Sequence, residues 1–335
     1  LLIRVKAAYR DVITDPEAFR PRAAALVDQA RHSGDAEALS LSLRALGWAE
    51  RYALEHRRAL QLLNEAARIA RQNRLSRVLG EVLITRGAIQ HELGHLSAAR
   101  RDFDAAEPLI HPDERAELIS QRATLLANRG DLVSAASLYD RLLKDGTLPA
   151  DVRCKTANNF GILQAHRGRF QEALDLFDVA NRAAEQVSPT YVAFVAENRA
   201  WVTVLAGLLA DGVAQFDAAR AMFEKLGLPP GELFMEYSDA LMQLRLLPEA
   251  LEHAREAVLI LDSHGVELMT AAARLNVAWL ALLSNQLDEA VADAELARES
   301  FRRQHRAWGL AWATLIDLEA RLRQGAITRG DVSRA

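Results

Sequence analysis

Cysteine is nearly missing from this chain: Cys154 stands alone among 335 residues. A disulfide-stapled scaffold is thereby excluded, and a reducing, cytoplasmic setting is the expectation. Long hydrophobic runs are missing too. No apolar stretch reaches the ~18 residues of a membrane span and no secretory leader is visible, so no membrane partner is expected. Glycine and proline are scarce, at 17 and 9, and strand-type alternation is almost absent. With half of its residues apolar, the chain has ample surface to bury as a folded all-α protein. Lysine is rare, 4 against 37 arginines, a bias that reads as genome composition rather than chemistry.

A basic stripe is also lacking, which argues against direct nucleic-acid binding. Basic and acidic side chains number 17 and 14 over residues 1–110, and 11 and 12 over 111–210. Over 211–299 they number 6 and 16, and over 300–335 they number 7 and 3. The acidic stretch would repel phosphate backbones and attract a basic partner. A solvated acidic face that aids solubility is the plainer reading of the same charges.

What is present is a pattern recurring about every 38 residues, the mark of a solenoid of supersecondary units. A small residue is followed seven later by Gly or a polar residue, and five beyond that by Ala59, Ala99, Ala135, Ala173, Gly212, Ala250 or Ala290. A large apolar residue comes four later (Leu63, Phe103, Tyr139, Phe177, Phe216) and a small or apolar one three after that. Each unit reads as two antiparallel helices that approach closely through small residues such as Gly47, Gly87 and Gly161. Gly94, Gly130, Gly168 and Gly207 are placed to end the first helix in a left-handed conformation. Most prolines fall between units, where they block helix propagation, while Pro16 and Pro248 suit a first helical turn. Neither helix can bury its apolar stripe alone, so stacked units share one core.

On these residues, best in Gly87–Gly94–Ala99–Phe103–Ala106 and Gly161–Gly168–Ala173–Phe177–Ala180, the chain resembles the tetratricopeptide-repeat (TPR) family. The resemblance implies an all-α TPR-type α-solenoid, a right-handed superhelix of antiparallel helix pairs. It places an N-terminal helical extension or cap at 1–36, seven repeats at 37–298, and the C-terminal helix of a partial eighth repeat within 299–335. The period exceeds the family's usual 34, so longer helices or loops are expected. The chain does not begin with Met and closes after an unpartnered helix, so a piece of a longer protein is expected.

Two strings imitate enzymes. His91-Glu92-Leu93-Gly94-His95 reads H-E-x-x-H, in which two His on one helical face bind zinc and the Glu acts as base, giving a zinc metallopeptidase. That chemistry needs a continuous helix and a third ligand, whereas Gly94 occupies the helix-ending position. Cys154 and His166 suggest a thiol dyad, but twelve residues along one helix separate them by about 18 Å. No catalytic centre, metal site or cofactor is expected.

The function expected is binding of a protein or peptide. In the family the first helix of each repeat lines the concave groove. Transferring its inward positions selects Asn159, Asn198 and Asn276, amides able to bond both polar groups of a peptide backbone or, alternatively, neighbouring helices. Glu232, Glu236 and Asp239, with Glu197, would form an acidic wall for an Arg or Lys side chain. Met235 and Met242 could adapt to an apolar neighbour. Trp48, Trp201 and Trp279 share one position and serve either as partner anchors or as inter-repeat packing. Arg44 and Arg51 would make the first repeat's inward face basic. The long Ala/Arg-rich helices of Arg44–Ala70 and Asn158–Ala184 also resemble the repeat region of bacterial CHAT proteins. That resemblance implies a sensor or regulatory region for a caspase-like protease. The ligand-sensing arm of a transcriptional regulator and a quorum-peptide receptor are the other settings.

Overall fold

The computed structural model describes residues 1–304 and 306–327, so the end of the expected C-terminal segment, 328–335, lies outside the described residues. Those described form α-helices joined by short turns, with no strand among them. The chain divides into two compact units. The first comprises Leu1–Gly207 with Ala221–Pro229, the second Leu208–Arg220 with the chain from Pro230 on.

The first unit opens with α1 (Leu2–Thr14) and α2 (Pro16–Ser33). The pairs α3 (Ala36–Tyr52) and α4 (His56–Gln72), then α5 (Ser76–Glu92) and α6 (Leu96–Ala106), come next. A 3-10 turn at Pro112–Glu114 leads to α7 (Arg115–Asn128) and α8 (Leu132–Leu143). The unit continues with α9 (Ala150–His166), α10 (Phe170–Ala184) and α11 (Pro189–Leu205). Of α12 (Leu209–Lys225), the part through Arg220 belongs to the second unit and the remainder to the first. The second unit then holds α13 (Gly231–Gln243), α14 (Leu247–Ser263), α15 (Glu267–Leu283), α16 (Leu287–Arg303) and α17 (Ala307–Arg323).

The helix pairs close on the residues that carry the repeat. Gly47 of α3 faces Leu63 of α4, Gly87 of α5 faces Phe103 of α6, and Gly161 of α9 faces Phe177 of α10. A Cβ on Gly87 would stand 2.5 Å from the Phe103 ring, so the side chain is absent because the ring occupies its place. Phe103, Tyr139, Phe177 and Phe216 are all essentially inaccessible to solvent, as are the Ala residues four positions earlier in the first three. Many helices run to 17 residues, among them α3, α4, α5, α9 and α11, which lengthens the repeat beyond 34.

Turns follow the expectation at Gly94, Gly130, Gly168 and Gly207, which are left-handed with φ between 72° and 87°. Leu54, Arg74, Arg245 and Asn285 adopt the same conformation without being glycine. Asp15 caps α2 by accepting from the Ala18 N–H at 3.0 Å, with Pro16 in the first turn, and Asp35 caps α3 in the same way through Ala38. No helix among the described residues is long and apolar enough to cross a membrane.

Candidate functional site

The first helices of the first unit turn one row of side chains toward each other across non-adjacent repeats. Trp48 of α3 lies 6.0 Å from Tyr9 of α1 and 6.0 Å from Tyr52. Tyr52 stacks on Phe194 of α11 at 6.0 Å, and Phe194 meets Phe223 edge-on at 5.4 Å. Lys155 of α9 brings its ammonium 5.9 Å from the Trp48 ring and 6.0 Å from the Tyr191 ring. The same ammonium pairs with Glu117 of α7 at 3.2 Å. Burial opposes ionisation of Glu117, yet Lys155 holds its carboxyl below the ordinary range. Two buried polar atoms in this cluster, Trp48 Nε1 and Tyr191 OH, have no hydrogen-bond partner.

Helix α1 covers part of that face. Val5, Ala8, Val12 and Ile13 are buried, and its C-terminal carbonyls accept from two hydroxyls of α11's first turn region. Ser188 Oγ donates to Ile13 O at 3.1 Å, and Thr190 Oγ1 to Thr14 O at 3.5 Å. Arg44 is enclosed beneath it. Its guanidinium carbon sits 3.9 Å from the Tyr9 ring centre, its Nε donates to Thr85 Oγ1 at 2.8 Å, and its Nη1 to Glu81 at 2.6 Å. Arg51 is matched by Glu92. The arginines of the first repeat therefore face carboxylates of the second, and the expected basic end of the groove is neutralised.

The three asparagines are placed on first helices, each with a local bond. Asn159 Nδ2 donates to Thr124 Oγ1 of α7 at 3.2 Å, and Asn198 Nδ2 to Phe194 O at 2.8 Å. In the second unit Asn276 Nδ2 donates to Ser238 Oγ of α13 at 2.8 Å. Trp201 is half-buried, with the His166 ring 5.3 Å away, and Glu197 is buried on α11. Trp279 is half-buried and meets Trp312 edge-on at 6.0 Å.

In the second unit, α13 carries Glu232, Glu236 and Asp239 at helical spacing, flanked by half-buried Met235 and Met242. Glu236 Oε2 is buried without a hydrogen-bond partner. Burial, then the charges of Glu232 and Asp239, push the Glu236 carboxyl well above the ordinary carboxylate range. Burial raises Asp239 as well, partly offset by a hydrogen bond from Asn276.

The enzyme-like strings have other partners. Helix α5 ends at Glu92, Gly94 is left-handed, and His95 precedes α6, so the two His do not share a helix. Asn128 Nδ2 donates to His91 Nε2 at 2.7 Å. Glu92 is held by Arg51 and is not free to act as a base. No group of three or more potential metal ligands occurs among the described residues. Cys154 is buried and its thiol is pushed up to about 12 by desolvation.

Sequence reasoning missed the docking of α1 on α11, the contact of Tyr9 with Arg44, and the Lys155–Glu117 pair. The last was accessible, since Glu81, Glu117 and Lys155 hold the same second position in successive first helices.

This geometry defines the class: a TPR-type α-solenoid. No family model and no curated protein matches the chain. Solved structures match it in fold. A Rap protein complexed with Competence and Sporulation Factor is 14% identical, covering 97% of this chain and 99% of its own, with a TM-score of 0.65. Cut9 of the anaphase-promoting complex, solved with Hcn1, is 13% identical over 92% of this chain and 53% of its own, TM-score 0.62. A signal-transduction ATPase with a TPR sensor from Pyrococcus horikoshii is 13% identical over 89% and 48%, TM-score 0.58.

Proposed function

We propose that the chain binds a protein or peptide segment through the exposed faces of its first helices, and that a basic side chain of the ligand docks beside α13. The observation that carries this reading is Glu236, a carboxylate with a buried, unpartnered oxygen next to two further carboxylates on one helix. An ammonium or guanidinium placed there would satisfy that oxygen and relieve the repulsion among the three. The amides of Asn159 and Asn198 each spend one N–H locally and keep further hydrogen-bonding capacity for a peptide backbone, whereas the Asn276 amide is engaged with Ser238 Oγ and Met235 O of α13. A role as a sensor or regulatory region follows the same reading. It is supported by fold likeness, over 97% of this chain, to a Rap protein solved with Competence and Sporulation Factor. The CHAT-protease setting is one form of that role, tested by identifying what co-purifies with the chain.

Fluorescence anisotropy with a library of labelled peptides tests the binding reading. Peptides with Lys or Arg are expected to bind, and replacing Glu232, Glu236 and Asp239 together by Ala should weaken them about tenfold or more and flatten the salt dependence. Absence of binding by any peptide would overturn the function; equal affinity in the triple variant would overturn the acidic subsite.

Glu236→Gln makes a separate prediction. Because the folded pKa is raised, ionisation of Glu236 costs stability, and that cost grows as pH rises from the ordinary carboxylate range through the folded value. The Gln variant should therefore be more stable at neutral pH, by on the order of 1 kcal/mol, with the gain vanishing in acid. Thermal melts at neutral and acidic pH read this directly.

A further inference from the structure

Three indoles meet on one face of the second unit. Trp279 of α15 lies edge-on to Trp312 of α17 at 6.0 Å, and Trp308, one turn earlier on α17, lies 6.1 Å from Trp312. Trp308, Trp312 and Leu315 follow one another at helical spacing, so they share one side of α17. They are 69%, 38% and 55% exposed, and Leu283, one turn beyond Trp279, is 40% exposed. Large apolar side chains gathered this way on open surface mark a place where something else packs.

The row continues into the acidic helix. Asn276, three residues before Trp279, donates to Ser238 Oγ of α13 at 2.8 Å and also bonds the Asp239 carboxyl. Carboxylates therefore border the aromatic row: Asp239, and Glu236 with its buried, unpartnered oxygen. Helix α13 carries no basic residue, and the one arginine of α15, Arg274, is paired with Asp293 and Asp262 of other helices. The face is acidic along one edge and aromatic along the other, which is the complement of a surface both basic and apolar.

The first unit displays what such a face accepts. Trp48 holds in α3 the position that Trp279 holds in α15, and it is only 5% exposed where α1 lies over it. Helix α1 is amphipathic: Val5, Ala8 and Val12 are buried, Tyr9 stands 6.0 Å from the Trp48 ring, and Lys6 reaches Glu37 of α3 at 3.1 Å. Trp308 and Trp312 have no such cover among the described residues. We infer that this face of the second unit docks one amphipathic helix of a partner protein, its apolar side on Trp279, Trp312 and Leu315 and its basic side chains against the carboxylates of α13. Packed helices lie about 8–10 Å apart, so the span from α13 across α15 to α17 is roughly 20 Å, or about 14 residues of partner helix. The inference rests on the protein-binding reading and adds the partner's local fold and its anchors.

The test titrates the full chain with three labelled probes: a Leu/Lys peptide of about 14 residues patterned as an amphipathic helix, the same pattern with Glu for Lys, and a scrambled Leu/Lys sequence with no apolar side. The first is expected to bind at about micromolar concentration and to gain helical circular dichroism, the other two about tenfold more weakly or worse. Trp308→Ala combined with Trp312→Ala changes exposed positions and should weaken the first probe about tenfold or more. Replacing Glu232, Glu236 and Asp239 by Ala should do the same, and circular dichroism checks that both variants fold. Equal binding of the scrambled or the Leu/Glu peptide, undiminished affinity in either variant, or no binding of the Leu/Lys peptide would each overturn the helix dock. So would a wild-type dimer that the double tryptophan variant turns into a monomer, which would assign the face to a second copy of the chain. Library peptides that bind and lose affinity only in the acidic variant leave the broader reading standing.

Discussion

Phe103→Ala is expected to lower the stability of the first unit by about 3–5 kcal/mol. Phe103 is 1% exposed and packs with Leu83, Ala99, Ala106, Leu118 and Leu125. The facing position is Gly87, whose missing side chain is what admits the ring. After truncation the glycine has no atoms to move into the space, and the helix backbone of α5 would have to shift bodily to fill it. The cavity therefore persists, and the cost lies toward the upper end for a phenylalanine. The complementary change, Gly87→Val, places atoms where the ring now stands and costs through overpacking instead. Urea unfolding followed at 222 nm measures both. A loss below ~1 kcal/mol for Phe103→Ala would mean the helix pair is not held by this contact.

The same glycine–aromatic pairing explains why the fold was legible. The pattern of small residue, turn, alanine and large apolar residue records which atoms must touch inside one repeat, and inside one repeat the partners lie close in sequence. Gly87 and Phe103, or Gly161 and Phe177, are sixteen positions apart in each case. Turns were legible only where glycine marked them. Leu54 at φ 59° and Asn285 at φ 58° occupy the same left-handed position, because a tertiary stack can absorb the ~1 kcal/mol that a side chain costs there.

The partners of the candidate site residues were not readable. Asn159, Asn198 and Asn276 lie on α9, α11 and α15, but that Asn159 reaches Thr124 and Asn276 reaches Ser238 depends on the spacing of neighbouring helices. Helix α1 is the clearest case. Its apolar positions announce an amphipathic helix, and nothing in them specifies docking against Ser188 and Thr190, about 175 residues away. Arg44 looked available as a groove cation for the same reason: neither Tyr9 above it nor Glu81 beside it belongs to its own repeat.

Arg51→Ala is expected to cost about 2–4 kcal/mol at neutral pH and to remove an acid-dependent part of the wild type's stability. Arg51 forks onto Glu92 with Nε at 2.8 and 2.9 Å from the two oxygens and Nη2 at 2.5 Å, and packs 4.8 Å from the Trp48 ring and 5.0 Å from the Tyr52 ring. His56 Nε2 stands 3.6 Å from the same carboxylate. Burial alone would raise Glu92, but Arg51, with His56, brings it from 4.5 down to about 2. A folded pKa below the unfolded one means the contribution is fully present above pH ~4.5 and disappears as the pH falls toward ~2. The shift corresponds to about 3 kcal/mol, reduced to about 2 by solvent screening, since Glu92 is 31% exposed. Wild-type stability should therefore fall through that window, while Glu92→Gln should start lower and lose this part of the slope. The outcome also decides between two roles for the HELGH string. A metallopeptidase base is dispensable for folding, so its replacement would leave stability unchanged. A carboxylate clamped by Arg51 between neighbouring repeats makes folding, and not hydrolysis, the property that its replacement damages.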